Sequence, residues 1–309
     1  MTDQAPADRK SRARGRRQSS ILVTGMPRSG TTWLARLLAT AEGVALTGRE
    51  PMNPRGRQYG LAGTLSGWVR LRELTDKQRR ALRLSHRGLT PMVYGRYGRR
   101  QWAAPLPGTR IVVKDPFAML SMPAVIRVTA ATPVLVYRHP AAALASYRRL
   151  GWEPDLDELR ALVRSYQLEG HPIGPSAGDL PRPGQVSAPE AMGRFWATLY
   201  TMALGDAGDC PGLIVVSHEE AAGGGRSAVD VLFDALGLRW SAATAAELAG
   251  RERSTTDAGT RLHRLDRDPS AVARSWRSAV SDAEMAAIEA VTEDARRRLD
   301  DVRLRLIAD

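Results

Sequence analysis

A strand, a loop bounded by glycines and a helix follow one another in residues 21–38, and this succession limits the possible folds more than any other segment. Ile21–Thr24 is an apolar, β-rich run, and residues 33–38 place apolar side chains at helical spacing. The loop between them, Gly25–Thr32, has the G-x-x-x-x-G spacing of a phosphate loop. Backbone N–H groups at the start of a helix form a cradle for an anion, because the positive end of the helix dipole points the same way. The segment therefore predicts an α/β protein that binds an anionic ligand.

The loop differs from that of nucleoside triphosphatases in the position of its cation. Thr31 stands where those proteins have a lysine directly after the second glycine, and Thr32 holds the usual Ser/Thr position. Arg28, earlier in the loop, supplies a guanidinium that donates several hydrogen bonds in a fixed fork. The sequence therefore predicts an anion cradle whose cation approaches the ligand from a different direction.

Four further β-rich runs alternate with segments of helical character along the chain. The runs are Val44–Leu46, Ile111–Val113, Val134–Tyr137 and Leu213–Val216, and helices are expected at 119–129, from Pro140 onward, at about 227–236 and at 282–299. This alternation predicts an α/β fold with a mainly parallel central sheet that is flanked by helices. A chain of 309 residues is long enough to bury the core of such a sheet.

The domain organisation follows from the changes in composition along the chain. Residues 1–19 are rich in arginine and lack apolar periodicity, which predicts a disordered basic tail. Residues 20–309 are expected to form a single domain, with an insertion at about 51–107 and a mobile, proline- and glycine-rich loop at about 171–187.

The chain is strongly basic, and this charge limits the classes of partner. It has 45 lysine and arginine residues against 33 aspartate and glutamate residues, and its formal net charge is +12. A nucleic acid, an anionic membrane surface and a polyanionic small molecule all fit such a charge. The composition by itself leaves these three classes open.

The sequence gives little indication of export, membrane insertion or disulfide bonding. Arg16 and Arg17 match the start of a twin-arginine export signal, but the apolar run Ile21–Val23 that follows is too short for one. The apolar runs of the chain are shorter than the roughly 18 residues that a membrane-spanning helix needs. Cys210 is the single cysteine, which excludes a disulfide framework and a multi-cysteine zinc site. We therefore predict a cytoplasmic protein without a transmembrane segment.

The loop sequence resembles that of a known enzyme family. Residues 27–34, Pro-Arg-Ser-Gly-Thr-Thr-Trp-Leu, are similar to the 5′-phosphosulfate loop of the sulfotransferase superfamily, whose members use 3′-phosphoadenosine 5′-phosphosulfate (PAPS). Many members have a lysine at the position of Arg28, and bacterial members often have arginine there, as in this chain. The resemblance implies the P-loop-like fold of sulfotransferases and PAPS as co-substrate. The residues it assigns to PAPS in this loop are Arg28, Ser29, Gly30, Thr31, Thr32 and Trp33.

A second segment resembles the 3′-phosphate motif of the same superfamily, which consists of a strand, Arg-x-Pro, a helix and a serine. Arg138 follows a predicted strand, Pro140 begins a helix, and Ser146 lies two turns into that helix. The resemblance implies that Arg138 and Ser146 bind the 3′-phosphate of PAPS. At Ala142 the family often has aspartate, so the geometry of this turn stays open. A shorter resemblance to the family's C-terminal Trp-Lys segment implies Arg277 as a further nucleotide ligand.

Transfer of a sulfuryl group to a hydroxyl needs a base, and the resemblance supplies two candidates. Glu50 precedes Pro51 and resembles the Glu-Pro placement of carbohydrate-type members; the alternative is a solvated loop carboxylate. His86 is the competing base, and its alternative is a surface histidine. Lys114 follows a predicted strand at the edge where open α/β sheets bind ligands, so we expect it to contact the sulfuryl group. Asp115 would orient Lys114 or the acceptor, and a helix-flanking ion pair is the alternative for both.

The predicted chemistry does not require a metal ion. Arg28, the two threonines and the backbone N–H groups of the loop are expected to stabilise the charge on the leaving phosphate oxygen. The run His218–Glu220 contains one histidine and adjacent carboxylates, which is not a convergent set of metal ligands. We therefore expect no metal cofactor.

The sequence thus favours a sulfotransferase that transfers a sulfuryl group from PAPS to a hydroxyl of a carbohydrate or a glycosylated metabolite. Aromatic side chains suited to sugars and aglycones lie in the insertion, at Tyr59, Trp68, Tyr94, Tyr97 and Trp102. Sulfation of a phenolic or other small natural product is one alternative. A kinase with an aberrant phosphate loop and a basic nucleic-acid-binding protein are the others. The expected partner is a small molecule or glycan, with no specific nucleic acid; the oligomeric state stays open.

Overall fold

A computed structural model of the protein describes residues 18–48, 50–56, 61, 63–89, 104, 106, 108–251 and 276–307. Most of the predicted basic tail lies outside the described residues. So do four of the aromatic side chains assigned to the acceptor: Tyr59, Tyr94, Tyr97 and Trp102.

Five strands form one sheet in the order β2-β3-β1-β4-β5, and every neighbouring pair is parallel. The strands are β1 (Ile21–Thr24), β2 (Val44–Leu46), β3 (Arg110–Lys114), β4 (Thr132–Tyr137) and β5 (Ile214–Ser217). Their sequences are nearly continuous apolar runs because helices cover both faces of the sheet. The predicted α/β fold with a mainly parallel sheet and flanking helices is confirmed.

Eleven α-helices lie in the described part of the chain. They are α1 (Thr31–Leu38), α2 (Asp76–His86), α3 (Met122–Thr129), α4 (Pro140–Arg148), α5 (Leu156–Leu168), α6 (Pro175–Gly178), α7 (Ala188–Gly205), α8 (His218–Gly223), α9 (Gly225–Ala235), α10 (Ala242–Arg251) and α11 (Asp282–Val302). Short 3-10 helices span Pro116–Ser121, Ala207–Asp209 and Arg277–Ala279. No helix within these described segments is long and apolar enough to cross a membrane.

The strand register aligns the three central strands β3, β1 and β4, so that their ends lie side by side. Ile21 pairs with Val112 on β3 and with Thr132 on β4, so the three strands run side by side. Alternate residues of β1 face opposite layers of the core: Leu22 packs with α7, whereas Val23 packs with α1 and α9. Because all strands are parallel, the loops that follow β1, β3, β4 and β5 lie at one edge of the sheet, where ligands bind in open α/β folds.

The helix α7 was not predicted, because it lies in the middle of a core layer. Most of its side chains are buried, including Phe195, Trp196, Tyr200 and Met202. A helix that is covered on several sides loses the apolar periodicity by which amphipathic helices are recognised. The helix matters here because it packs behind the loops at the carboxyl edge of the sheet.

The proline- and glycine-rich segment before α7 is tied to the neighbouring helices. It contains the short helix α6, and the carbonyl of Asp179 accepts a hydrogen bond from Arg194 Nη1 at 2.9 Å. The carbonyl of Pro181 accepts another from Arg160 Nη2 at 2.7 Å. These contacts anchor the middle of the segment that the sequence predicts to be a mobile loop.

Candidate functional site

The loop after β1 has a backbone that only particular residues can adopt. Gly25 has a φ of 142°, and a Cβ there would lie 2.1 Å from the carbonyl oxygen of Val136. Gly30 has a φ of 95°, and a Cβ there would lie 2.0 Å from the His218 ring. Arg28 also has a positive φ, 75°, which is uncommon for a residue with a side chain. The loop is therefore held in a conformation that leaves its backbone close to β4 and to the start of α8.

Two side chains of α7 hold this loop and the end of β4 in place. The buried Tyr200 hydroxyl donates to the carbonyl oxygen of Val136 at 2.7 Å and accepts from the Met26 N–H at 3.3 Å. The indole N–H of Trp196 donates to the carbonyl oxygen of Arg138 at 2.9 Å. Sequence reasoning missed both residues because α7 itself was not predicted.

The structure brings the two predicted phosphate motifs together. Arg28 Nε donates to the Ser146 hydroxyl at 2.9 Å, across the gap between the loop and α4. Arg138 lies beside them, with its Nε 3.9 Å from a Glu219 carboxylate oxygen. Burial lowers the pKa of Arg28, and the charge of Arg149 lowers it further. Burial likewise lowers the pKa of Arg138, with Arg149 and Arg28 acting in the same direction against Glu219. Three guanidinium groups thus lie close enough to repel one another, which favours a bound polyanion.

On the other side of the loop, Lys114 links the predicted base to the predicted cradle. Its ammonium group forms an ion pair with Glu50 Oε1 and donates to Thr32 Oγ1 at 3.1 Å. The second Glu50 oxygen, Oε2, accepts a hydrogen bond from the Asn53 side chain. Glu50 is therefore a partly buried partner of Lys114, with a side chain that is 15% exposed, and not a solvated loop carboxylate. The Glu50 carboxylate, the Lys114 ammonium group and the Thr32 hydroxyl therefore form a chain of contacts at the start of α1.

Asp115 fixes the turn that carries Glu50. Its Oδ2 accepts from the Met52 N–H, and its Oδ1 accepts from the Phe117 N–H at 3.2 Å. Burial, with a smaller contribution from the Glu50 charge, raises the pKa of Asp115 to about 8. Asp115 thus joins the residues after β2 to those after β3, and it does so as a buried group.

His86 does not lie at this site, which corrects its assignment as a candidate base. Its Nδ1 is 2.8 Å from the Ser20 hydroxyl, and burial lowers the pKa of His86 to about 3. Ser20 directly precedes β1, whereas the loop follows β1, so the length of the strand separates them at roughly 3.3 Å per residue. The last turn of α2 points its histidine into the protein, although the polar neighbours of His86 in the sequence suggested a surface position.

Trp33 and His218 form the wall of the site near the start of α1. Their ring centroids are 5.5 Å apart and their planes lie at 73°, with the His218 ring against Gly30. Burial, followed by the charge of Arg138, lowers the pKa of His218 to about 3, so the ring is neutral at physiological pH. His218 Nδ1 is buried without a hydrogen-bond partner among the described residues. Within the same part of the chain, no group of three or more side chains has the arrangement of a metal site.

Arg277 lies behind the end of β4. It lines a cavity of about 300 Å³ together with Glu219, His139 and Trp276. The rings of His139 and Trp276 stack at 4.6 Å, and Arg277 lies over the Trp276 ring. Burial lowers the pKa of His139 to about 4, and the charges of Arg296, Arg277 and Arg138 act in the same direction. The structure therefore places Arg277 next to the Arg138 turn, on the side of His139.

Trp68, one of the aromatic residues assigned to the acceptor, belongs to the core. It is 6% exposed, and its ring packs against Phe117 and Phe195 with centroid distances of 5.0 and 6.3 Å. A ring enclosed in this way has no free face for a sugar, so this assignment is corrected.

One family model matches part of the chain. A model of the sulfotransferase family matches residues 20–170, which include the loop after β1, Glu50, Lys114, Arg138 and Ser146. No curated protein matches the chain.

Three solved structures are similar to this chain over most of its length. The sulfotransferase domain from the curacin biosynthetic pathway is 14% identical, with 89% of this chain and 98% of that one covered and a TM-score of 0.46. The sulfotransferase domain of the Synechococcus PCC 7002 olefin synthase is 18% identical, with 90% and 94% covered and a TM-score of 0.46. Mouse sulfotransferase SULT7A1, solved in complex with PAP, is 14% identical, with 93% and 90% covered and a TM-score of 0.43.

Proposed function

We propose, from the match of residues 20–170 to the sulfotransferase family, that the chain is a sulfotransferase that transfers a sulfuryl group from PAPS to a hydroxyl group of an acceptor. The observation that carries this proposal is the arrangement around the loop after β1. Arg28 contacts Ser146 on one side of the loop, and Lys114 contacts both Glu50 and Thr32 on the other. The groups that would bind the nucleotide thus lie on one side of the loop, and the groups that would act on the acceptor lie on the other side.

The donors present fit a nucleotide with two separate anionic groups. Arg28, Thr31, Thr32 and the loop N–H groups would hold the 5′-phosphosulfate, because a helix start favours an anion. Arg138 and Ser146 would hold the 3′-phosphate, as the motif resemblance implies. Gly30 lets the loop pack directly on the His218 ring, since a Cβ there would lie 2.0 Å from that ring.

Trp33 would supply a further contact for the nucleotide, because its half-buried ring lies beside the loop at the start of α1, with the buried His218 ring packed edge-on against it. Arg277, beyond His139, is the further ligand on the 3′ side.

The reaction requires in-line geometry and charge stabilisation, as phosphoryl transfer does. The acceptor oxygen forms a bond to sulfur while the bond from sulfur to the phosphate oxygen breaks, and the acceptor proton passes to Glu50. Lys114 is positioned between Glu50 and Thr32, so its charge would stabilise the oxygens of the transferred group. Arg28 and the loop N–H groups would stabilise the charge on the departing phosphate oxygen, which leaves as part of 3′-phosphoadenosine 5′-phosphate (PAP).

For the acceptor, we propose a hydroxyl of a carbohydrate or of a glycosylated metabolite. The position of Glu50 before Pro51 supports this class. Trp152, 37% exposed, packs edge-on against Tyr147 at 5.6 Å, and the charge of Arg28 acts on Tyr147. This exposed ring near the site suits sugar rings and phenolic rings alike, so a phenolic natural product is the second class to be tested.

The experiment is a PAPS-dependent assay with a panel of glycans, glycosylated metabolites and phenols, in which mass spectrometry detects the gain of a sulfuryl group. Calorimetry with PAP and with ATP is carried out in parallel. We expect PAP to bind and sulfated product to depend on PAPS. Phosphorylated product without PAP binding would instead identify a kinase. Tight binding of DNA or RNA that PAP does not displace would favour a nucleic-acid-binding protein.

A further inference from the structure

Three arginines approach the same anion site, and one of them lies outside every motif in the sequence. Ser146 lies on α4, and Arg149 is the residue that caps the C-terminal end of this helix. Residues three apart on a helix lie on the same face. Arg149 therefore lies one turn beyond Ser146 on the face that accepts the hydrogen bond from Arg28.

The neighbouring arginine points elsewhere. Arg148 forms an ion pair with Glu284 on α11. Adjacent positions on a helix differ by about 100° in direction, so the Arg148 and Arg149 side chains extend toward different parts of the protein surface. Both side chains are exposed. The pair thus offers two arginines of equal charge and similar exposure, of which only Arg149 lies on the face of Ser146.

Arg149 lies near the two other arginines of the site, as its effect on their pKa values indicates. Its charge lowers the pKa of both Arg28 and Arg138, so its guanidinium lies within Coulombic range of the two. Like charges held together in a partly desolvated cleft repel one another, and a dianion placed among them removes that repulsion. Arg149 is exposed and lies one helical turn from the buried Ser146, which gives it access to such a dianion.

We propose that Arg149 is a third binding residue for the 3′-phosphate of the nucleotide and that it closes the solvent side of the pocket formed by Arg138 and Ser146. This inference rests on the proposed use of PAPS. It assigns to Arg149 a role in selecting nucleotides that carry a 3′-phosphate over those that do not. The selection works because only a nucleotide that carries this group places a dianion among the three guanidinium groups.

The test compares PAP with adenosine 5′-monophosphate, which lacks the 3′-phosphate, by calorimetry at one salt concentration. We expect Arg149→Ala to weaken PAP binding about tenfold, as for the loss of a charged hydrogen bond that is partly exposed, and to leave the affinity for adenosine 5′-monophosphate within about twofold. The matched control Arg148→Ala is expected to change neither affinity. Arg149→Lys is expected to recover part of the PAP affinity, because it restores the charge without the guanidinium fork.

Three other results would contradict either the inference about Arg149 or the proposed function. Equal loss of affinity for both nucleotides in Arg149→Ala indicates a structural role and overturns the inference. Unchanged PAP affinity in that variant, with normal binding by the unaltered chain, overturns the inference alone. Failure of the unaltered chain to bind PAP overturns the proposed function together with the inference. Thermal unfolding of each variant shows whether the fold is intact.

Discussion

At the scale of single residues, the site contains two carboxylates whose surroundings differ. Glu50 forms an ion pair with Lys114, whereas Asp115 accepts backbone N–H groups in a buried position where its pKa is raised to about 8. Separate environments of this kind assign separate roles to similar groups. Glu50 is the proton acceptor that we propose, and Asp115 holds the turn that follows Glu50 through its contact with the Met52 N–H.

The first prediction concerns Glu50. We expect Glu50→Gln to lower kcat for sulfation by about 10²–10⁴-fold, as for loss of a general base, while PAP affinity stays near normal. Product formation and calorimetry measure the two quantities. Glu42→Gln, an exposed carboxylate that pairs with Arg239, serves as the control. Retained turnover in Glu50→Gln would exclude Glu50 as the base.

The second prediction concerns stability and Asp115. The unfolded chain releases this proton at about pH 4, whereas the folded protein keeps it up to about pH 8. Between these values the folded state binds more protons, so the contribution of Asp115 to the free energy of unfolding falls as pH rises, by at most about 1.4 kcal/mol per pH unit. Asp115→Asn removes this dependence, although it also weakens the contact with Met52. Urea unfolding of both proteins at pH 5 to 8 measures the difference, and parallel curves would contradict the prediction.

His86 shows where prediction from single residues fails. Its flanking residues Ser85 and Arg87 are polar, and such a context is typical of a surface position. The structure buries His86 because Ser20, 66 positions earlier, lies against it. A contact between residues so far apart in sequence leaves no local signal.

At the scale of secondary-structure elements, the parts predicted well are those with a local signature. Each of the five strands is an apolar run, and the helix predicted at 282–299 is observed at Asp282–Val302, where it begins with a capping box formed by Ser281 and Glu284. The predicted loop residue Arg28 and the predicted helix residue Ser146 also meet in space. The helix α7 lacks such a signature because it is buried on most sides, and its Tyr200 and Trp196 contacts at the site were therefore not predicted.

The third prediction concerns this helix. Tyr200→Phe removes the hydroxyl that joins the Met26 N–H to the carbonyl of Val136. We expect the free energy of unfolding to fall by about 1–3 kcal/mol, the cost of leaving a buried polar group without its partner, and PAP affinity to fall as the loop loosens. Urea unfolding and calorimetry measure the two effects.

The control for Tyr200→Phe lies on the same helix. Thr198→Val removes a buried hydroxyl that donates to the carbonyls of Ala177 and Arg194, away from the loop. We expect it to destabilise the protein to a similar extent while PAP affinity stays unchanged. If both variants lost the same affinity, Tyr200 would have no specific role at the loop.

At the scale of the whole molecule, the site is assembled from distant parts of the chain. The match to the sulfotransferase family ends at residue 170, yet Trp196, Tyr200, His218 and Glu219 contact the loop or the Arg138 turn. The sheet explains this arrangement, because parallel strands bring all of their carboxyl ends to one edge. Motif recognition therefore identifies the part of the site before residue 170, and only the fold reveals the part after it.

The fourth prediction concerns the basic segment at the start of the chain. The carbonyl of Ser19 accepts a hydrogen bond from Arg110 Nε at the amino edge of the sheet, opposite the loop. Because of this attachment, we expect deletion of residues 1–17 to leave PAP affinity within about twofold when it is measured by calorimetry at physiological ionic strength, where the screening length is about 8 Å. A large loss would mean that these residues reach the site.

The hydrogen bond between Arg28 and Ser146 has a consequence for how a ligand is recognised. It couples the segment assigned to the phosphosulfate with the segment assigned to the 3′-phosphate, although the two are 118 positions apart. We expect a ligand that draws Arg28 towards itself to change the position of Ser146, and the reverse. The two halves of the proposed nucleotide should therefore bind cooperatively, with an affinity for the whole molecule that is not the simple sum of what each half contributes alone.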